Sequence, residues 1–217
     1  MMQKRFLPLY IALITLYIFI GIWVFTIKEG KLPFVDQWTG KYVESFADTA
    51  FYDLFWSVTH LGSESFLIPF TVLVAIILWI LCKDWLVALF FSGGTLLSHL
   101  LNMFIKNMVA RERPSISVEA NAEGFSYPSG HSMITMVCYG LLMYFLVRTI
   151  KNKKIGILVQ IGFALLIFLI GTSRYIIHVH FATDIITGFT LGFSLLILFI
   201  YLFEKIDGKR RIGKSQS

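Results

Sequence analysis

Six long apolar runs restrict what this chain can become. They are Phe6–Ile27, Phe66–Cys82, Trp85–Ile105, Ser132–Val147, Ile155–Ser173 and Ile185–Phe203, and none contains Asp, Glu, Lys or Arg. A helix needs roughly 20 apolar residues to cross a hydrocarbon core about 30 Å thick. The second and fourth runs are short and reach that length only with the polar residues beside them. Inside lipid every backbone N–H and C=O must be satisfied within the segment itself, so runs of this length predict helices. The expected fold is all-α: a polytopic membrane protein with six transmembrane helices. Charged residues make up only 15% of the chain, against about 25% in soluble domains. Lys4 and Arg5 precede the first run as they would in a signal peptide. That run is longer than a signal core and no small-residue cleavage site follows, so a retained span is expected.

The net charge of +6 could suggest nucleic acid, but the positions of the charges argue for a membrane. With the N-terminus inside, Lys4, Arg5, Lys83, Arg148, Lys151, Lys153, Lys154 and the basic residues from Lys205 onward lie on the inner side. Lys28, Lys31, Lys41, Lys106, Arg111, Arg113 and Arg174 lie outside. This bias follows the positive-inside rule. Both termini are then cytoplasmic, no nucleic-acid partner is expected, and segment 205–217 reads as a mobile basic tail near anionic lipid. Residues 1–204 form one membrane domain. Cys82 and Cys138 fall within or at the end of spans and read as buried thiols rather than a disulfide framework.

Between the first two spans, segment 28–65 carries Phe34, Trp38, Tyr42 and Phe46 at intervals of four, with Lys41, Glu44 and Asp48 between them. That spacing predicts a short interfacial helix. Asp48 is placed to cap a second one bearing Phe51, Tyr52, Phe55 and Trp56. A cap over the outer ends of the spans fits the same pattern. The short inner loops at Lys83–Asp84 and Lys151–Lys154 predict antiparallel neighbours in a compact bundle.

The remaining ionisable residues near span ends all fall on the outer side. Such groups at membrane depth are costly, and their presence hints at function. Lys106 and Arg113 are seven apart and would share a helix face, with Pro114 ending the helix near Arg113. Arg174 adds a third cation. Three cations without a surrounding carboxylate cluster describe an anion site, and guanidinium forks fit phosphate. Ser129 is a good N-cap for the fourth span and Gly130 lets backbone approach a ligand. The first N–H groups of that helix then face the anion. His131 stands where it can protonate a leaving oxygen. His180 and Asp184 are one helical turn apart, so the carboxylate can accept from one ring nitrogen and leave the other free as a nucleophile. Ser129 activated by His131 is a rival that spacing alone does not exclude. Two histidines and an aspartate could ligate zinc, but three nearby cations repel a dication, so no metal and no cofactor is expected.

Lys106-x6-Arg113-Pro114, Pro128-Ser129-Gly130-His131 and Ser173-Arg174-x5-His180-x3-Asp184 together resemble the three-part signature of the type 2 phosphatidic acid phosphatase superfamily. All three parts occur in order and with the family's spacing across spans three to six. In size and six-span layout the chain is similar to bacterial phosphatidylglycerophosphatase B and undecaprenyl-diphosphatase enzymes. The resemblance implies a metal-independent lipid phosphatase acting on a lipid phosphate or pyrophosphate at the extracytoplasmic face. It implies His180 as nucleophile, His131 as general acid and Asp184 as orienter. It also implies phosphate binding by Lys106, Arg113, Ser129, Gly130 and Arg174. Phosphatidylglycerophosphate and undecaprenyl pyrophosphate are the expected substrates, with phosphatidate or diacylglycerol pyrophosphate as alternatives. A non-catalytic lipid-phosphate carrier and a vanadate-dependent haloperoxidase would share the pocket. The carrier has no need for two histidines and an orienter, and a haloperoxidase has no need of a face open to lipid. His60, His99 and His178 read as structural, Arg111 and Glu112 as a solvated charge pair, and Glu119 and Glu123 as loop solubilisers or guides for anionic substrate. The sequence sets neither the lipid's identity nor an oligomeric state.

Overall fold

The computed structural model describes residues 2–43, 49–114 and 122–215. Helices account for all regular structure among them: α1 (Met2–Lys28), α2 (Phe34–Val43), α3 (Ala50–Thr59), α4 (Glu64–Cys82), α5 (Trp85–Val109), α6 (Gly130–Thr149), α7 (Lys153–Ile176) and α8 (Ala182–Ser215). A single 3₁₀ turn, His60–Gly62, joins α3 to α4. Six of the helices, α1 and α4 to α8, are long and apolar enough to cross a membrane. Helices α2 and α3 are the short elements expected between the first two spans.

Polar caps set where these helices start. Ser63, Asp84, Ser129 and Asn152 each accept a hydrogen bond from a backbone N–H in the first turn of α4, α5, α6 and α7. Such caps satisfy donors that a helix leaves open at its N-terminus. The α3 cap is Thr49, which accepts from Tyr52 N; Asp48 lies outside the described residues, as do Glu44, Phe46 and Glu119. Lys83 and Ala110 adopt left-handed conformations where α4 and α5 stop.

Helix α6 is the centre of the bundle. Met133, Val137, Cys138, Leu141 and Phe145 on it are buried, and it packs against α5, α7 and α8. Gly188 and Gly192 allow α8 to approach α6 closely: a Cβ at either position would lie 2.6 Å from the carbonyl oxygens of Ser129 and Met133 respectively. Helix α1 stands at the periphery, and its Tyr17 hydroxyl donates to Ser194 Oγ at 2.9 Å. The large side chains turned outward are apolar, including Ile14, Phe25, Ile80, Leu81, Phe104, Leu158 and Ile161. This is the surface of a bundle whose surroundings are hydrocarbon.

Two sequence expectations change. The segment after Phe203 is not a loose tail: α8 continues to Ser215. Ion pairs hold that extension, with Arg148 reaching Glu204 and Asp207, and Arg210 reaching Asp84 at 3.0 Å. Helix α5 stops at Val109, so Arg113 lies on a loop and does not share a helix face with Lys106. On α2 the buried residues are Asp36 and Val43, whereas Phe34, Trp38 and Tyr42 face outward. Its aromatic stripe suits the interface, and its polar side faces the protein.

Candidate active site

The C-terminal ends of α5 and α7 and the N-terminal ends of α6 and α8 meet at one end of the bundle, beneath α2, α3 and the His60–Gly62 turn. A cavity of about 430 Å³ opens there, with Lys106, Arg113, Gly130, His131, Arg174 and His180 in its wall. Segments far apart in sequence thus deliver the three cations and both histidines to one space. Ser129 and Asp184 are fully buried just behind the wall.

Local backbone geometry explains the delivery. After α7 the chain turns through His178, at φ 59°, and the Arg174 carbonyl accepts from both Val179 N and His180 N at 3.1 Å. This turn brings the His180 backbone back beside Arg174, and both residues stand in the cavity wall. The Pro128–Gly130 turn is tied on two sides: Ser129 N donates to the Asp184 carbonyl at 3.1 Å, and Asn102 Nδ2 donates to the Pro128 carbonyl at 3.2 Å. Ser129 Oγ accepts from Ser132 N at 3.4 Å as the α6 cap. Behind the turn, the Tyr127 hydroxyl lies 2.9 Å from Thr187 Oγ1, and burial pushes the phenol up to about 12.

Arg113 is held by a clamp of carbonyls. Its Nε donates to Gly124 O at 3.0 Å, Nη2 to Glu123 O at 3.0 Å and Nη1 to Val179 O at 2.9 Å. The same Nη1 lies 3.1 Å from His180 Nε2. A guanidinium only donates, so Nε2 is the acceptor nitrogen and carries a lone pair. The hydrogen then sits on Nδ1, which donates to Asp184 Oδ2 at 3.2 Å. Burial first, then Arg113, Arg174 and Lys106, hold His180 well below its ordinary value, so the ring is neutral near pH 7.

His131 faces the same cavity from the first turn of α6. Its Nε2 is buried and makes no hydrogen bond. Gly62 packs flat on this ring; a Cβ there would lie 2.6 Å from His131 Cδ2. Arg174 Nη1 donates to Thr59 Oγ1 at 3.3 Å.

Sequence reasoning missed part of the site. Arg111 does not pair with Glu112 in solvent. It is 6% exposed and bridges Asp36 at 2.7 Å and Asp184 at 2.6 Å. Asp36 carried one signal, an acidic residue within an otherwise aromatic-periodic segment; Arg111 carried none beyond its place between Lys106 and Arg113. His60, Glu64 and Glu123 line the cavity. His99 lies 3.7 Å from Glu64 and His178 forms the α7–α8 turn. Among the described residues no group of three His, Cys, Asp or Glu side chains is arranged to hold a metal ion.

The PAP2 superfamily matches residues 85–207, which covers α5 through most of α8. The chain belongs to the PAP2 superfamily. This PAP2 protein is 32% identical to phosphatidylglycerophosphatase B of Bacillus subtilis (strain 168) over 205 residues, covering 91% of this chain and 98% of that one. The crystal structure of a transmembrane PAP2 type phosphatidylglycerolphosphate phosphatase from Bacillus subtilis superposes with a TM-score of 0.76 at 28% identity, covering 89% of this chain and 96% of that one. Dolichyldiphosphatase of Saccharomyces cerevisiae is 26% identical over 148 residues, covering 65% of this chain and 62% of that one. The PAP2 protein is a multi-pass membrane protein and a hydrolase, a lipid phosphatase of this superfamily.

Proposed function

We propose that this PAP2 protein removes the terminal phosphate from phosphatidylglycerophosphate at the extracytoplasmic face of the cell membrane, through a phosphohistidine at His180 and without a metal. The observation that carries this reading is the His180 ring itself. Arg113 donates to Nε2 and so fixes it as the unprotonated nitrogen, which exchanges that hydrogen bond for phosphorus when it attacks, and Asp184 holds the proton on Nδ1.

In this mechanism Lys106, Arg113 and Arg174 receive the phosphate oxygens, joined by the N–H groups of the α6 N-terminus at Gly130. His180 Nε2 attacks phosphorus in line. The P–O bond to the lipid breaks, and His131, which takes up a proton when the anionic phosphate binds among the cations, gives its Nε2 proton to the departing oxygen. Neutral His131 then takes a proton from water, whose oxygen attacks the phosphohistidine. The P–N bond breaks, inorganic phosphate leaves and His131 is again protonated. The three cations and the helix N-terminus stabilise charge on the equatorial oxygens, which is the main catalytic task in phosphoryl transfer. Ser129 as the nucleophile fits less well, because its hydroxyl is buried behind the wall as a helix cap.

Likeness to phosphatidylglycerophosphatase B over most of the chain supports the choice of lipid. Likeness to a dolichyldiphosphatase supports a second reading, hydrolysis of undecaprenyl pyrophosphate, whose terminal phosphate presents the same group. Comparing turnover of the two lipids in mixed micelles separates them. For the mechanism, His131→Ala protein is incubated with substrate labelled in its terminal phosphate and quenched in alkali, where a P–N bond survives. Label on His180 is expected, and turnover by the parent protein should survive EDTA. Label on Ser129, or EDTA inhibition reversed by magnesium, overturns the scheme.

A further inference from the structure

Behind the His180 ring lies a buried charge cluster none of whose members lines the cavity, joined to the ring through Asp184. Arg111 Nη1 donates to Asp184 Oδ1 at 2.6 Å and to Thr183 Oγ1 at 2.9 Å. Its Nη2 donates to Asp36 Oδ2 at 2.7 Å, and the Phe181 ring lies 3.7 Å from its Cζ. Asp36 also accepts from Thr183 N at 2.9 Å and Thr183 Oγ1 at 2.6 Å. Asp36 is 2% exposed and Asp184 0%. Asp36 belongs to α2, outside residues 85–207 of the superfamily match.

Two carboxylates sharing one guanidinium need a reason, because a buried charge is costly unless it is paired. One Arg and one Asp would already be neutral. With Asp36 the cluster carries a net negative charge beside a neutral imidazole. If His180 is the nucleophile, as proposed above, its ring becomes cationic when Nε2 bonds to phosphorus, since Nδ1 keeps its proton. A guanidinium at 2.6 Å would cancel most of the attraction between Asp184 and that cation. Asp36 offsets the guanidinium and restores the field. The same contacts fix Asp184 in orientation: Oδ1 is taken by Arg111, and Oδ2 is left for His180 Nδ1 and Phe181 N.

We infer that Asp36 and Arg111 are positioning residues for the nucleophile, so that the interfacial helix α2 supplies a charge the reaction uses. They touch neither substrate nor the reacting atoms and act through Asp184.

The test is a double-mutant cycle on the full-length protein in detergent, with kcat, KM and inhibition by inorganic phosphate measured for each variant. Asp36→Asn keeps the shape and removes the charge. It should lower kcat about 10-fold or more, the scale expected when an aligned group loses its support, while KM and phosphate inhibition stay within about twofold. In an Asp184→Asn background, Asp36→Asn should add less than about twofold, because its route is already cut. Parental kcat in Asp36→Asn, or losses that multiply independently with Asp184→Asn, overturns the inference. Should Asp36→Asn fail to fold, Asp36→Glu and Arg111→Lys decide: both keep charge but displace it, both should lose kcat with KM unchanged, and full activity in both overturns the proposal. Turnover surviving His180→Ala would instead overturn the nucleophile reading on which this rests. An inactive His180→Ala beside a fully active Asp36→Asn removes the inference alone.

Discussion

At His180 the neighbouring charges decide which ring nitrogen is available. Arg113 cannot accept a hydrogen bond and Asp184 cannot donate one while ionised, so the tautomer with the lone pair toward the cavity is set before substrate arrives. Replacing Asp184 by Asn substitutes an amide that can donate as well as accept and weakens the field on Nδ1. Asp184→Asn should therefore reduce kcat by up to roughly 10⁴-fold, the scale seen when an orienting aspartate is neutralised, with KM little changed. Steady-state kinetics on a short-chain substrate checks this split. The neutrality of His180 in the folded state also makes a stability prediction. Its folded-state value lies well below the ordinary one of about 6.5. Below that pH the unfolded chain binds a proton at this residue and the folded chain does not, so stability falls as pH falls. Melting temperatures between pH 7 and pH 5 should decline less steeply in His180→Ala than in the parent. An equal or steeper decline in the variant would mean that the ring is not buried among cations as described.

Among the elements, α6 bears the greatest packing demand, because it presents Gly130 and His131 to the cavity from the centre of the bundle. Its first turn is set from α8, through the Ser129 N–H bond to the Asp184 carbonyl and the close approach at Gly188. A Cβ at Gly188 would meet the Ser129 carbonyl at 2.6 Å, with Ser132 Cβ at 2.8 Å. Backbone cannot yield there as a flexible side chain can. Gly188→Ala should therefore displace the cap of α6, lower the melting temperature and reduce turnover together. Ser129→Ala removes one cap hydrogen bond and should cost only about 1 kcal/mol. The element scale also shows what sequence could and could not disclose. Span positions followed from uninterrupted apolar runs, and the Lys106, His131, Arg174, His180 and Asp184 cluster followed from topology, because each sits near the same end of a span. The α5 terminus was misplaced because Ala110 adopts a left-handed cap, a conformation unusual for alanine. Arg111 was misread because its partners, Asp36 and Asp184, are distant in sequence, and a charge in a polar loop looks solvated until the fold brings acids to it. The helical extension past Phe203 depended on Asp84 and Arg148 from other loops and helices, which local composition does not reveal.

For the whole molecule, the question is which side of the membrane holds the phosphate. The six spans place the N-terminal end of α1 and the C-terminal end of α8 opposite the cavity. The ends differ in charge. The end away from the cavity carries Lys83, Arg148, Lys151, Lys153, Lys154 and the basic residues of late α8, as the cytoplasmic side does under the positive-inside rule. The cavity end also carries cations, but Lys106, Arg113 and Arg174 are committed to the site and Arg111 to the cluster behind it, so they contribute little to a topology signal read from exposed loops. Discounting them strengthens the bias. Single-cysteine reporters on a background lacking Cys82 and Cys138 test the orientation without touching the site. Lys31→Cys lies between α1 and α2 near the cavity, and Lys151→Cys lies in the opposite loop between α6 and α7; both positions are exposed. A membrane-impermeant maleimide applied to intact cells should label Lys31→Cys at once and Lys151→Cys only after permeabilisation. The reverse pattern would put the cavity in the cytoplasmic leaflet. Lipid phosphates would then be hydrolysed at the cytoplasmic leaflet, against the extracytoplasmic placement proposed above.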